Sequence, residues 1–235
     1  MAKILKNVKL VIFDVDGVIF DIIDAIREVV QEGIDKYGLK VSLQDAMQEV
    51  AHLLEVVQSI PFPRIILNSY DLLDIDMLKE YTLIKKLRIG ASFYSNFRQK
   101  KAQCALFPGI AAIIKGLHKS NYKLAILSNN KQSYVIEALD KESLTNYFDL
   151  IYGFNEVSQT KPDPEGLLKL MDALHVTPEE TIFIGDMVSD IQAAHNAKIK
   201  SIAVASGLVS KEKLVASNPT VLVDNTQELR QELGI

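Results

Sequence analysis

Short apolar runs recur along this 235-residue chain, each followed by a longer stretch in which apolar positions return every three or four residues. The runs are Val8–Phe13, Lys123–Leu127, Leu150–Tyr152, Thr181–Ile184, Ser201–Val204 and Val221–Val223. Continuous apolar segments of this length are expected of strands in a parallel sheet covered on both faces. Helical stretches between them predict βαβ crossovers and an α/β fold. The alternation breaks once. The chain between Phe13 and Lys123 is far longer than one crossover helix requires, and it reads helical throughout. Ile22, Ile23, Ile26, Val29, Val30 and Ile34 follow helical spacing, and Gly38 is a natural stop. Ser42 followed by Asp45 resembles a capping box. Pro61-Phe62-Pro63 breaks the pattern, and a further helix is expected over Asp74–Leu87. The expected organisation is thus an all-helical module over 21–103, inserted into a core formed by 1–20 and 104–235. Within the core, Phe107-Pro108-Gly109 precedes a helix ending near Asn121. Asp163-Pro164-Glu165 reads as an N-cap, a proline at the first helical position and an acid in the first turn.

Composition alters this picture little. The chain is 48% apolar and 24% charged, ordinary for a globular protein. Lys plus Arg is 26 and Asp plus Glu is 30, so the net charge is 26 − 30 = −4, which gives no ground for a nucleic-acid partner. The single cysteine, Cys104, cannot build an internal disulfide framework, and its neighbours Gln103 and Ala105 supply no activating group. The apolar run near the N-terminus is too short for a signal or spanning segment, so a cytoplasmic protein without a membrane role is expected. His52, His118, His175 and His195 are scattered without metal-ligand spacing and read as surface or core residues.

Candidate chemistry gathers at the carboxyl ends of the predicted strands, where open α/β sheets bind their ligands. Asp14-Val15-Asp16-Gly17 follows the first strand. Two carboxylates two residues apart can point to the same side, and Gly17 permits a sharp turn; the pair could bind a hard cation or divide nucleophilic and acid–base work. The blander reading is an Asp-Gly turn at a strand end. Gly185-Asp186-Met187-Val188-Ser189-Asp190 follows the fourth strand and brings two further carboxylates to that edge, with capping of the next helix as the alternative. Ser128-Asn129-Asn130 ends the second strand, where a hydroxyl beside the N–H groups of a helix start would suit a phosphate. Lys161, between the motifs and stiffened by Pro162 and Pro164, could hold a phosphate oxygen and offset carboxylate repulsion.

Taken together and in this order, the four motifs resemble those of the haloacid dehalogenase superfamily, and the helical insert sits where that family carries a helical cap. The resemblance implies a Rossmann-like core and two-step phosphoryl transfer. By that analogy Asp14 is the nucleophile and Asp16 the acid–base. Mg²⁺ is held by Asp14, Asp16 through its backbone carbonyl, Asp186 and Asp190, while Ser128, Asn129 and Lys161 bind the phosphate. Family dehalogenases typically lack the second Asp of the first motif, so Asp16 favours a phosphatase. Leu127-Ser128-Asn129-Asn130-Lys131 and Thr160-Lys161-Pro162-Asp163-Pro164 resemble the phosphoglycolate phosphatase-like members. A small phosphorylated metabolite is the expected partner and a monomer or homodimer the expected state. Two other readings are kept open: a phosphosugar mutase of the β-phosphoglucomutase type, and a non-catalytic binding protein of the same fold. In the insert, Asp21 is expected to cap the first helix, Arg64 to sit at the surface or in an ion pair, and Tyr70, Tyr81 and Tyr94 to pack.

Overall fold

A computed structural model describes the backbone of residues 4–58 and 76–235, and the side chains of these residues apart from 52–58. The chain divides into two compact units, Met1–Asp21 with Leu106–Ile235, and Ile22–Ala105. Among the described residues no helix is long and apolar enough to cross a membrane.

The first unit is built on six strands: β1 (Leu10–Phe13), β2 (Lys123–Leu127), β3 (Leu150–Tyr152), β4 (Thr181–Gly185), β5 (Lys200–Val204) and β6 (Val221–Val223). They form one sheet in the order β3-β2-β1-β4-β5-β6, every pair parallel. The first strand begins at Leu10 rather than Val8. Lys9 already pairs outward, donating to Glu180 O at 2.7 Å and accepting from Lys123 N at 2.8 Å. Because β2 lies on one side of β1 and β4 on the other, the winding direction reverses there. The gap beyond the carboxyl ends of β1 and β4 is the topological switch point where such sheets bind ligands.

Crossover helices α4 (Ile110–Lys119), α5 (Gln132–Lys141), α6 (Glu165–Ala173), α7 (Val188–Asn196), α8 (Lys211–Ala216) and α9 (Thr226–Leu233) complete this unit. Strand side chains alternate between faces. Leu10 and Ile12 of β1, Ala125 and Leu127 of β2 and Phe183 of β4 share one apolar cluster with Leu167, Leu170 and Met171 of α6 and Ala193 and Ala194 of α7. Phe13, at the alternate position of β1, meets Phe148 edge-on with ring centroids 6.2 Å apart. Since both faces are covered, these strands read as apolar runs and not as an alternating pattern.

The second unit contains α1 (Ile23–Tyr37), α2 (Leu43–Gln58), a short 3-10 turn at Asp76–Leu78 and α3 (Leu83–Lys101). Gly38 closes α1 in the left-handed conformation at φ 63°. Asp21 does not occupy the cap position expected of it; Ile22 does, without a side-chain cap bond. Ser42 caps α2 as expected, with Asp45 N donating to Ser42 Oγ at 3.1 Å and Ser42 Oγ donating to Asp45 Oδ2 at 2.6 Å. The helix expected over Asp74–Leu87 is displaced: α3 starts at Leu83 and runs to Lys101, and residues 74 and 75 lie outside the described residues. Pro61-Phe62-Pro63, Arg64, Tyr70 and the His52 side chain also lie outside them. Leu39, Leu78 and Ile89 form a small core with Tyr81 packed against it, whereas Tyr94 is exposed and carries Arg98 over its ring. Lys100 ties α3 to α1 through Glu28 at 2.7 Å and Glu32 at 3.0 Å.

Glycine at 166 is a packing requirement. A Cβ there would stand 2.4 Å from Leu127 Cδ1. Gly166→Ala is expected to lower unfolding free energy in urea by about 1–3 kcal/mol, because the buried Leu127 side chain or α6 itself must shift to admit the methyl group. An unchanged denaturation midpoint would show that the packing is looser than described.

Candidate active site

β1 delivers the carboxylate that follows it, Asp14, to the switch point through a turn that the sequence specifies closely. Asp14 N donates to Ile184 O at 2.8 Å, which carries the β1–β4 ladder one residue past the strand. The chain then closes a single helical turn, with Ile19 N and Phe20 N both donating to Val15 O, at 2.9 and 3.0 Å. Gly17 has φ +80°, and a Cβ on it would lie 1.9 Å from Asp186 Oδ2. Only glycine satisfies both demands. The same economy appears at the end of β4, where a Cβ on Gly185 would lie 2.4 Å from Asp190 Oδ2. Two glycines thus let two segments of backbone approach a pair of carboxylates.

Asp190 sits in the first turn of α7 and reaches back, accepting from Met187 N at 3.0 Å and Asp186 N at 3.1 Å through Oδ2. Its side chain satisfies two N–H groups at a helix start while its other oxygen faces the site. Capping and site geometry are therefore served by one residue. Asp186 is held by Ser206, whose hydroxyl donates to Oδ2 at 3.0 Å.

Lys161 reaches this cluster from the loop before α6. That loop is anchored by Glu165, whose carboxylate accepts from Ser158 N and Gln159 N, both at 2.9 Å to Oε2. Lys169 and these amides hold Glu165 down at about 2. Asn196 of α7 adds a bond from Nδ2 to Pro162 O at 3.0 Å. The Asp163-Pro164-Glu165 cap is shifted by one residue, with Pro164 at the cap position and Asp163 Oδ1 accepting from Glu165 N at 2.9 Å. So fixed, Lys161 Nζ lies 2.7 Å from Asp14 Oδ1, 2.6 Å from Asp190 Oδ1 and 5.6 Å from the centre of the Phe183 ring.

Lys161 is 3% exposed, Asp14 5%, Asp186 1% and Asp190 0%, so these charges are far from bulk water. Oxygens of Asp14, Asp186 and Asp190 lie within 4.8 Å of one another. Burial, opposed by Lys161 and reinforced by Asp190 and Asp16, pushes the Asp14 carboxyl up to about 7. Burial, and then Asp14 and Asp190, push Asp186 well above the carboxylate range. Burial would lower Lys161, but Asp14 and Asp190 outweigh it and raise the ammonium above its ordinary value. With all three carboxyls ionised, they and one ammonium would leave −3 + 1 = −2 charges in a buried space. The Asp186 Oδ1 oxygen is buried without a hydrogen-bond partner. A divalent cation fits both observations, since it would supply the missing charge and a partner for that oxygen, and an all-oxygen donor set suits a hard ion.

Beyond β2, Ser128 is buried and Asn129 half-buried. Three N–H groups around this turn are already engaged: Ser128 N donates to Tyr152 O at 2.9 Å, Asn130 N to Ser128 Oγ at 3.2 Å and Gln132 N to Asn155 Oδ1 at 3.0 Å. The helix begins only at Gln132, so the hydroxyl of Ser128 is better placed to offer a proton to an anion than these three amides. The residue that joins this turn to the first motif is Asn130, whose Nδ2 donates to Asp16 Oδ2 at 2.6 Å. Asn130 and Ser206 were not legible as site residues. Asn130 stands within a polar stretch and Ser206 within an apolar one, and only the approach of distant loops brings each to its partner.

The sequence profile of haloacid dehalogenase-like hydrolases matches residues 11–204. The phosphoglycolate phosphatase of Pseudomonas putida strain KT2440 is 26% identical over 222 residues, covering 94% of this chain and 78% of that protein. That of Aliivibrio fischeri is 26% identical over 234 residues, covering 98% of each. Among solved structures, a predicted phosphoglycolate phosphatase from Haemophilus somnus 129pt superposes with a TM-score of 0.75 at 18% identity, covering 97% of this chain and 98% of that one. A β-phosphoglucomutase candidate from Thermotoga maritima gives 0.68 at 23%, covering 96% and 98%. These structural likenesses are likenesses of fold.

Two outcomes are expected of this geometry. In the metal-free protein the folded chain keeps a proton on Asp14 that the unfolded chain has released, between about pH 4 and about pH 7. The stability this group contributes is full below that window and is lost as pH rises through it. Since a divalent cation needs the ionised carboxylates, Mg²⁺ should raise the melting temperature more at about pH 8 than at about pH 5. An equal gain at both would contradict the assignment. Gly17→Ala, which forces Asp186 aside, should weaken Mg²⁺ binding by about tenfold or more in calorimetry while the fold survives.

Proposed function

The chain belongs to the haloacid dehalogenase-like hydrolase family, and from that membership we propose that it is a Mg²⁺-dependent phosphatase of small phosphorylated metabolites, working through an aspartyl-phosphate on Asp14. The observation that carries this reading is the buried cluster itself: three carboxylates within 4.8 Å around an ammonium, at the switch point of the sheet. Unpartnered buried charge is costly, so such a cluster is a poor device for stability and a good one for holding a cation and an anionic substrate.

Asp14, Asp186 and Asp190 would hold the metal with the backbone carbonyl of Asp16. When bound, the cation would neutralise charge on the transferring phosphoryl oxygens. Lys161 orients the Asp14 carboxylate and is close enough to share a phosphate oxygen. Ser128 offers its hydroxyl to another, with Asn129 beside it. The Asp14 oxygen attacks phosphorus, and the bond to the leaving oxygen breaks as Asp16 gives that oxygen a proton. Asp16, now ionised, takes a proton from water. The resulting hydroxyl attacks the phosphorus, the bond to Asp14 breaks, and inorganic phosphate leaves. Acid and base are thus one group used twice. We assign the choice of substrate to the inserted unit, Ile22–Ala105. Because curated relatives carry the name phosphoglycolate phosphatase, phosphoglycolate is the first substrate to test.

Phosphate release is to be measured over phosphoglycolate, hexose phosphates, nucleotides and p-nitrophenyl phosphate, with Mg²⁺ and with EDTA. Stoichiometric phosphate that appears only with Mg²⁺, and falls below detection in Asp14→Asn with the melting curve preserved, is the expected result. An isomerised phosphosugar without free phosphate would instead establish a mutase. Normal turnover by Asp14→Asn would remove the nucleophile assignment. Mg²⁺ binding without turnover of any substrate would favour a non-catalytic role.

A further inference from the structure

We propose that Asn130 is a positioning residue that couples proton transfer by Asp16 to phosphate binding by Ser128. The inference rests on the phosphatase reading and deepens it.

An amide nitrogen has two hydrogens to donate. Asn130 Nδ2 places them on two different motifs, 2.6 Å from Asp16 Oδ2 and 3.3 Å from Ser128 Oγ. A carboxylate accepts and cannot donate, so the nitrogen end of the amide is the end that faces Asp16. The two partners follow the carboxyl ends of the adjacent strands β1 and β2 and, in the proposed chemistry, act on opposite ends of one bond. Asp16 protonates the leaving oxygen and Ser128 grips the phosphoryl group that departs from it. One short side chain fixing both sets the distance between them.

The effect on Ser128 follows from counting. A hydroxyl oxygen has two acceptor sites and one proton to give. Asn130 fills both acceptor sites, its backbone N at 3.2 Å and its Nδ2 at 3.3 Å. The Ser128 proton is therefore directed away from Asn130, and the hydroxyl acts as a donor, which is what an anionic phosphoryl oxygen requires.

Asn130 can hold its partners only if it is itself held, and its backbone is clamped from β3. Phe154 N donates to Asn130 O at 2.9 Å. A Cβ on Gly153 would stand 2.4 Å from that same oxygen and 2.3 Å from Gln132 N, so the segment after β3 lies directly against this turn. Glu156 fixes Gly153 through its N–H at 2.8 Å, and Gln132 Nε2 reaches Ile151 O at 2.8 Å. A side chain on such a turn loses little freedom on making its two bonds, which is the condition for accurate positioning.

The test uses leaving groups of different basicity. An alkyl phosphate needs its leaving oxygen protonated, whereas p-nitrophenolate departs without that help, so faults in the acid show selectively on the first. The quantity to compare is kcat/KM, which covers steps up to formation of the aspartyl-phosphate and is blind to its hydrolysis. For Asn130→Ala and the near-isosteric Asn130→Leu, kcat/KM for the best alkyl phosphate substrate should fall on the order of tenfold to a hundredfold, and for p-nitrophenyl phosphate by no more than about threefold. Asn130→Leu keeps the size and branching of the side chain and removes its donors without adding charge beside Asp16, so a role in shape alone would leave it near wild type. Melting curves accompany both variants, and the leucine variant decides the matter if the alanine variant unfolds. Equal losses on the two substrates, or no loss, would overturn the positioning role. Asp16→Asn is measured beside them. A leaving-group-dependent loss there with none in the Asn130 variants would refute the inference alone, whereas a flat response in Asp16→Asn would remove the acid–base reading and the inference with it.

Discussion

The ammonium of Lys161 lies within 2.7 Å of Asp14 and 2.6 Å of Asp190, out of reach of bulk water, and the arrangement of the rest of the site follows from that contact. Three carboxylates do not gather unaided in a buried space. Lys161 cancels part of their repulsion and ties together three segments remote in sequence: the end of β1, the first turn of α7 and the loop before α6. Its own loop must then be firm, and Glu165 and Asn196 make it so. The remaining excess of negative charge is answered only in part, by Ser206 and by the N–H groups of Met187 and Asp186. What is left over is a negative excess that a divalent cation would neutralise.

The cost of this arrangement is visible in the carboxyl groups. Burial, more than any neighbouring charge, lifts Asp14 to about 7 and Asp186 well above its ordinary range, so these carboxyls by themselves resist full ionisation. A protein selected for stability alone would fill that space with apolar side chains. The core beneath does so: Leu10, Ile12, Ala125, Leu127 and Phe183 support the polar ends of the same strands that carry the site. One face of chemistry thus rests on a rigid parallel sheet, and the strand exits differ from the strand bodies only in the last residue or two.

Much of this was legible in the chain. Parallel strands covered on both faces must be apolar throughout, so their positions showed to within two residues at either end. The carboxylates at 14, 16, 186 and 190 showed because glycines stand beside them and because each follows a strand. Legibility failed where a role depends on a partner far along the chain. Asn130 looked like one more polar residue in a turn, and nothing local marks it as the donor to Asp16. Ser206 gave no sign of reaching Asp186. Asp21 looked like a helix cap, but the helix starts one residue later behind Ile22. The helix expected over Asp74–Leu87 reads from apolar spacing that continues into α3, whose start at Leu83 leaves a separate short turn at Asp76–Leu78.

The sequence by itself determined the α/β class, the helical insertion, the strand exits and the residue types set at them, because periodicity and glycine placement are local constraints that any fold of this chain must honour. Tertiary structure alone decided that Lys161 is buried between two aspartates rather than solvated, that Gln132 N is spent on Asn155, and that Asn130 reaches Asp16 and Ser206 reaches Asp186. Those outcomes depend on distances across the sheet between residues that are remote in the chain, and no local pattern encodes a distance of that kind.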